Sequence, residues 1–325
     1  MALPEQLKPG DVVLTRGTEA ISRAICLMDA SEVSHAALAV DGDTLAEAVG
    51  EGLRTIPYAK ALDGHDLLVG RSLAAPADMA PVLDVARRYL DGKISYAHQQ
   101  IVLLAVLCVT RRVPLPLGGR RLVRTVLDQA AAAVNALAEC GRQPMICSEF
   151  VYRCHYEARP SAPYALRVDG GSDADGQSTL LGWARSHPAL SHLPLPGKVP
   201  ALLDPAALEA LLAPLVSAYA SAVGKLDGLP FGKHVPAPAG LTDPSDEEML
   251  ASMTAFGAAL HRAESPDGGH VTPEQALEKI RSKAAEPNFV TPGDLLRSPS
   301  LVERLRTPDG KKPAGSRLTG LLGGR

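Results

Sequence analysis

The stretch SHAALAVDGDTLAEAV, residues 34–49, contains two short apolar runs separated by Asp-Gly-Asp. This pattern is typical of a β-hairpin. Each run carries one polar side chain, His35 at the start of the first and Glu47 within the second. If the hairpin pivots on Gly42, Glu47 lies opposite Ala37, on the same face as His35 and about one diagonal step away. If the pivot falls between Gly42 and the residue before it, Glu47 points to the opposite face. The sequence alone leaves both registers open.

The stretch ICSEFV, residues 146–151, follows a Gly-Arg-Gln-Pro break and predicts a helix that begins near Cys147. A thiol in the first turn of a helix lies near free backbone N–H groups and the positive end of the helix dipole, which favour the thiolate. Apolar or small residues four, seven and eleven positions later put Cys147 on the face that packs inward. The alternative is a small buried cysteine with no chemical role, which is the usual fate of a free thiol.

His35 and Glu47 could complete a nucleophile–base–orienter arrangement with Cys147. A histidine at the start of an apolar strand is more often structural than catalytic. His155, eight residues beyond Cys147 on the same predicted helix, is about 12 Å away along its axis and is excluded as the base.

Composition excludes several classes of protein. The 325 residues are 46% hydrophobic and 21% charged, which is typical of a globular chain, and the net charge of -3 with 4% aromatics argues against a dedicated nucleic-acid binder. The longest apolar run, Ile101–Val109, is too short to cross a bilayer, and the N-terminus lacks the features of a signal peptide. We therefore predict a cytoplasmic protein with reduced cysteines.

No metal or cofactor is predicted. Cys140, Cys147 and Cys154 recur every seven residues. On a continuous helix this spacing corresponds to a rise of about 10.5 Å, too far for thiolates that share one zinc ion. Motifs of zinc proteases, serine hydrolases and P-loop enzymes are missing from the sequence.

Residues 96–124 combine an apolar segment with several arginines and no acidic residue. The simpler interpretation is a core helix followed by a solvated basic loop. The alternative is a surface that makes peripheral contact with anionic lipid or admits an acyl chain.

Three motifs resemble those of the NlpC-type papain-like cysteine peptidases. LKPGDVV (residues 7–13) followed by SHAA (34–37) is similar to the family's histidine hairpin, and CSEFV (147–151) is similar to its cysteine helix. GKISY (92–96) is similar to the family's G-x-P-Y element, with one extra residue and the proline replaced. The histidine precedes the cysteine here, an order that resembles the circularly permuted branch, the YaeF/YiiX-type amidases. The lecithin retinol acyltransferase-like proteins share this order.

The resemblance implies an α+β fold with a permuted papain-like core. In it, a small antiparallel sheet packs on the helix that begins at Cys147, and a helical C-terminal extension follows. It implies Cys147 as nucleophile, His35 as base and Glu47 as the orienting residue. Tyr96 and Ser148 are expected to contact the substrate or the oxyanion.

The sequence also predicts a domain division, and the resemblance implies an activity. Residues 1–170 would form the catalytic domain, and residues 171–325 a mostly helical extension with Pro/Gly-rich linkers, of which 288–302 would return to the core. The expected activity is hydrolysis of a peptide or N-acyl amide through an acyl-thioester. The alternatives are acyl transfer or lipid-ester cleavage, and a catalytically silent protein-binding module.

Overall fold

A computed structural model describes residues 4–49, 52–74, 78–92, 99–139, 145–168, 178–196, 201–224, 242–265 and 270–307. These residues form an α+β structure with one six-stranded antiparallel sheet, as the sequence predicted. The strands are β1 (Val12–Gly17), β2 (His35–Ala39), β3 (Thr44–Val49), β4 (Gly52–Pro57), β5 (His65–Leu73) and β6 (Leu301–Thr307). The helices are α1 (Ala20–Met28), α2 (Ala80–Asp91), α3 (Gln99–Thr110), α4 (Gly119–Glu139), α5 (Cys147–Tyr156), α6 (Leu180–Ser186), α7 (Pro205–Ala222), α8 (Asp246–Glu264), α9 (Pro273–Ala284) and α10 (Pro292–Arg297).

The order of strands across the sheet is β4-β3-β2-β1-β5-β6. The first five strands come from the N-terminal quarter of the chain. The sixth comes from its C-terminal end, and it pairs with β5 from Leu68↔Thr307 to Leu73↔Leu301. One sheet therefore joins two distant parts of the sequence.

Apolar residues alternate between the two faces of the sheet, as the period of a strand requires. One face, which carries Val12, Leu14 and Leu38, packs against α2, α5 and α10. The opposite face, with Val13 and Leu45, covers a smaller cluster that includes Tyr58. A third and larger cluster joins α1, α3, α4 and helices α6 to α9.

The segment before β6 is anchored by polar contacts to the N-terminal half. The Arg71 guanidinium donates to four backbone carbonyls, those of Leu295, Leu296, Ser298 and Leu301. Asp29, whose side chain is fully buried, accepts a hydrogen bond of 2.9 Å from the backbone N–H of Gly293. Val290 and Leu295 thus pack on the sheet and Leu301 begins β6, whereas the domain division proposed at residues 170 and 171 stays a prediction.

Residues 101–110 of α3 are buried in the helical cluster. This burial matches the simpler interpretation of that apolar segment, a core helix. The lipid contact considered for residues 96–124 stays a prediction.

Helix α7 has the length and composition of a membrane span. Its mean hydropathy is 1.2 over 18 residues, and 33% of it is buried. Core helices of soluble proteins meet the same criterion, and α7 packs against α1 and α4. The cytoplasmic location predicted from the sequence stays a prediction.

Candidate active site

The hairpin of β2 and β3 has the register in which Gly42 is the pivot. Ala37 pairs with Glu47, Leu38 with Ala46, and Ala39 with Leu45. His35 therefore lies two residues from the partner of Glu47 and on the same face. Its Nε2 atom is 2.9 Å from Oε2 of Glu47, and both side chains are more than nine-tenths buried. Because a carboxylate can only accept, Nε2 carries the proton and donates it.

Glu47 is held from its other side by Arg54, which pairs with it across β3 and β4. Nε of Arg54 lies 2.9 Å from Oε1 of Glu47, and a terminal guanidinium nitrogen lies 2.8 Å from the same atom. Burial raises the pKa of Glu47, but the hydrogen bonds from His35 and Arg54 outweigh it and lower the pKa to about 2. Glu47 is thus a permanently charged partner for the imidazole ring.

Cys147 is the first residue of α5 and is buried, with 2% of its surface exposed. The preceding residue, Ile146, has extended backbone angles, so the helix begins at the cysteine as the Gly-Arg-Gln-Pro break predicted. The backbone N–H groups of Ala36 and Ser148 both point to the sulfur. An anionic sulfur is stabilised by such donors.

The Cys147 thiol and the His35 ring shift each other's pKa in opposite directions. Burial raises the pKa of Cys147, but the charge and hydrogen bond of His35 outweigh burial and lower it below its ordinary value. Burial lowers the pKa of His35, but the Cys147 thiolate and Glu47 raise it to about 10. Glu47 occupies Nε2, so Nδ1 is the ring nitrogen left for the thiol. These shifts favour the thiolate form of Cys147 and the imidazolium form of His35.

The hydroxyl of Ser148 lies away from the pair. It is fully buried and donates a 2.6 Å hydrogen bond to the carbonyl oxygen of Val290. The side chain therefore anchors the C-terminal segment, and only the backbone N–H of Ser148 reaches the sulfur. Tyr96, the other expected contact, lies outside the described residues.

Two cavities meet at His35. The first, about 440 Å³, is mostly apolar and lies where the end of β3 meets the starts of α1, α3 and α7. The second, about 510 Å³, is more polar and contains the side chains of Glu47, Arg54, Lys60 and His65. Among the described residues, Glu19, His35, Val49 and Gln100 line both cavities. A substrate bound across His35 would contact an apolar region on one side and a polar region on the other.

Arg54, His65 and Gln100 were missed by sequence reasoning. Arg54 lies on β4, which pairs with β3, His65 lies on β5, which pairs with β1, and Gln100 stands in the first turn of α3. The alternation of residues along β4 could have identified Arg54 as the partner of Glu47 if the β3–β4 register had been known. The sequence carries no comparable signal for the other two.

The other described cysteines have a different environment. Burial raises the pKa of Cys26 and of Cys108 to about 12, and it raises that of Cys154 as well. Cys140 lies outside the described residues. Across the described part of the chain, no three His, Cys, Asp or Glu side chains gather as a metal site would need. The absence of a metal or cofactor stays a prediction.

Comparisons with known proteins were made for the whole chain. No protein-family model matches it. The chain is 27% identical over 183 residues to a protein named "Probable lipoprotein peptidase YaeF" from Escherichia coli K12, a match that covers 54% of this chain and 65% of the relative's length. The crystal structure of metalloprotein yiiX from Escherichia coli O157:H7 aligns with a TM-score of 0.33 and 15% identity, over 62% of this chain and 92% of that one. The sequence match and the three motifs make this chain similar to the YaeF/YiiX-type proteins.

Proposed function

We propose that this chain is a cysteine hydrolase that cleaves an amide bond, in a peptide or an N-acyl compound, through an acyl-thioester on Cys147. The observation that carries the proposal is the buried Cys147–His35 pair, with a lowered thiol pKa and a raised imidazole pKa. Glu47 on Nε2 orients the ring and stabilises its charge. The name of the YaeF relative, a lipoprotein peptidase, is compatible with this chemistry.

The proposed reaction has two halves. The Cys147 thiolate attacks the amide carbonyl carbon, and the imidazolium of His35 gives its Nδ1 proton to the leaving nitrogen as the C–N bond breaks. Water then attacks the thioester while Nδ1 takes one of its protons. Collapse of the tetrahedral adduct releases the carboxylic acid and the thiolate. The backbone N–H of Cys147, at the helix start, is the proposed donor to the oxyanion.

A substrate-profiling experiment tests this proposal. The purified chain is incubated with a library of peptides and N-acyl amides, and products are identified by mass spectrometry. We expect cleavage by the wild type, none by C147A, and retained cleavage by C154A, which changes a buried cysteine on the same helix. A covalent acyl adduct should be found on Cys147 by intact-mass analysis and should be released by hydroxylamine. Equal activity of C147A and the wild type would contradict the proposal.

The apolar cavity favours a second candidate, acyl transfer or cleavage of a lipid ester by the same thiol. Its lining includes six aliphatic side chains: Ile21, Val49, Ile101, Leu203, Leu208 and Leu212. Such a lining suits a hydrocarbon chain next to the reacting carbonyl. Rates with matched amides, phospholipid vesicles and added amine or alcohol acceptors separate the two candidates. Faster reaction with the lipid ester, or capture of the acyl group by the acceptor, would favour the second.

The third interpretation, a catalytically silent module, predicts a thiol of ordinary reactivity. The lowered pKa of Cys147 argues against it, because a structural buried cysteine has a raised pKa, as Cys108 does. If folded protein showed no preferential reaction at Cys147, the module would become the better interpretation. Peptide, amide and acyl-lipid substrates are therefore the proposed partners, with no role for nucleic acid.

A further inference from the structure

His65 is a second imidazole in the site that the proposed mechanism does not use. It is the first residue of β5 and pairs with Gly17 of β1, just past an irregularity in the register. Its ring stacks on that of His35, with centroids 6.3 Å apart and planes inclined by 28°. The side chain lines the polar cavity together with Glu47 and Arg54.

The hydrogen bonding of His65 fixes its tautomer. Nδ1 lies 3.0 Å from the backbone carbonyl oxygen of Asp63. A carbonyl oxygen can only accept, so Nδ1 must carry a proton and donate it. In the neutral ring the other nitrogen, Nε2, then has a free lone pair.

The surroundings keep this ring neutral. Burial and then the positive charge on His35 lower the pKa of His65, whereas Glu47 and Asp66 oppose the shift without cancelling it. Two imidazolium rings stacked at this distance would repel each other. His35 is held charged by Cys147 and Glu47, so His65 is the ring that stays neutral.

The backbone around His65 is also fixed. The N–H of His65 donates to Leu62, and the carbonyl of Gly64 accepts from the N–H of Thr18 at 3.0 Å. Gly64 has φ of +74°, a conformation that a side chain would disfavour. The ring that carries Nε2 is therefore held beside the proposed base by its hydrogen bond to Asp63 and by a fixed backbone.

We propose that Nε2 of His65 accepts a hydrogen bond from the N–H of the substrate's amide, and so selects amides over esters. This inference rests on the proposed function and deepens it by assigning the choice between its two candidate substrate classes. An ester has an oxygen where the amide has its N–H, so it leaves the Nε2 lone pair without a donor. A site built to bind an N–H discriminates strongly against an analogue that lacks it.

The test uses two small alkylating probes and does not depend on turnover. N-methyl-2-iodoacetamide and methyl iodoacetate have nearly the same shape, but only the first has an N–H. Their rates of reaction with Cys147 are measured by peptide mass spectrometry and divided by their rates with free N-acetylcysteine. The quotient of these two normalised rates, amide over ester, reports the preference for the donor.

Two variants of His65 test whether the preference for the amide probe comes from an acceptor at the Nε2 position or from the aromatic ring. In H65Q the side-chain amide reaches the position of Nε2. In H65N it reaches only the position of Nδ1 and can still donate to Asp63. Both lose the stacked ring, so a purely structural role would affect them equally. H192F, a change of an exposed histidine in another part of the chain, is the control for histidine replacement.

We expect the normalised preference for the amide probe to be about five- to tenfold in the wild type and H192F. It should be largely kept in H65Q and fall to about one in H65N. If melting shows that H65N is unfolded, H65F takes its place, because it keeps an aromatic ring but has no acceptor. An equal preference in all variants, or none in the wild type, would overturn the role of His65 while leaving Cys147 reactive. No alkylation of Cys147 in the folded wild type would overturn the proposed function and this inference with it.

Discussion

At the scale of single residues, the site is a chain of alternating charges: Cys147, His35, Glu47 and Arg54. Each member is buried except Arg54, whose side chain is about half exposed. Buried charges are costly unless they are paired. Here each charge has an opposite neighbour, so the cost of burial is offset along this row of four side chains. Solvent reaches only Arg54 at its end.

The first prediction concerns the reactivity of the cysteines. Near neutral pH, iodoacetamide should modify Cys147 before Cys26, Cys108, Cys140 or Cys154, because Cys147 alone among the four described cysteines has a lowered pKa. Limited alkylation followed by peptide mass spectrometry gives the order directly. H35A should remove the preference by depriving the thiolate of its counter-ion. Faster labelling of any other cysteine in folded protein would contradict the assignment of the nucleophile.

The second prediction concerns pH. The active ion pair requires a deprotonated Cys147 and a protonated His35. Activity should therefore appear below the usual pKa of a thiol and persist above the usual pKa of histidine, up to the raised value of about 10. In E47Q the loss of the carboxylate lowers the pKa of His35, so the alkaline limb of kcat/KM against pH should move to lower pH.

The same variants should also differ in rate. We expect E47Q to reduce kcat by about ten- to a hundredfold and H35A by more, since H35A removes the acid and base altogether. R54K keeps a cation beside Glu47 and serves as the control. An unshifted alkaline limb in E47Q would mean that Glu47 does not stabilise the charge on His35.

The local features of the site were easier to predict from the sequence than the contacts between distant residues. The break before Cys147 and the helical spacing after it predicted the start of α5, because both signals are local. The contact of His35 with Glu47 needed the hairpin register, which the turn left ambiguous by one residue. His65 could not be predicted as a neighbour of His35, since their proximity depends on β1 lying between β2 and β5.

At the scale of elements, α10 is the link between the C-terminal segment and the first helix. Asp29, the residue after α1, accepts from the N–H of Gly293 and lies 3.5 Å from Arg297 and 3.8 Å from Arg111. Asp294 of α10 contacts both arginines as well. Burial and the neighbouring Asp294 raise the pKa of Asp29, so its charge depends on these partners.

The third prediction tests this link. D29A removes a fully buried partner and should lower the free energy of unfolding by about 3 kcal/mol, measured with urea. D29N should cost less, because its amide oxygen can still accept from Gly293. D84A, which changes an exposed ion pair on α2, should cost less than about 0.5 kcal/mol. Equal losses in D29A and D84A would show that α10 is not held through Asp29.

At the scale of the whole molecule, the sheet depends on its C-terminal strand. The fourth prediction compares two shortened chains. A chain that ends at residue 287 loses Val290, α10 and β6, which exposes the edge of β5. We expect it to melt at a much lower temperature than the full chain or to be insoluble, and to lose the preferential alkylation of Cys147. A chain that ends at residue 307 keeps β6 and is the control. An unchanged melting temperature for the shorter chain would contradict a structural role for β6.

The whole-molecule architecture was only partly predictable. The starts of α7, α8 and α9 carry local sequence signals, because Asp204, Ser245 and Thr272 cap these helices and a proline follows the first and the last of these caps. Strand β6 was not expected, since LVERLRT has only a weak apolar alternation and owes its structure to pairing with β5. The return of residues 288–302 to the core was expected from the family resemblance and not from any pattern of residues in the segment itself.

The pairing of β5 with β6 has a consequence for the order of events during translation. A ribosome synthesises the chain from its N-terminus, so Leu68 is made 239 residues before its partner Thr307. Asp29 is made 264 residues before Gly293, and Ser148 is made 142 residues before Val290. The nascent chain therefore carries an open sheet edge from the synthesis of β5 until that of β6, and such an edge can pair with other chains. The helix that holds the thiol is secured only after residues 290–307 have been made, so the reactive centre is completed well after Cys147 itself has been synthesised.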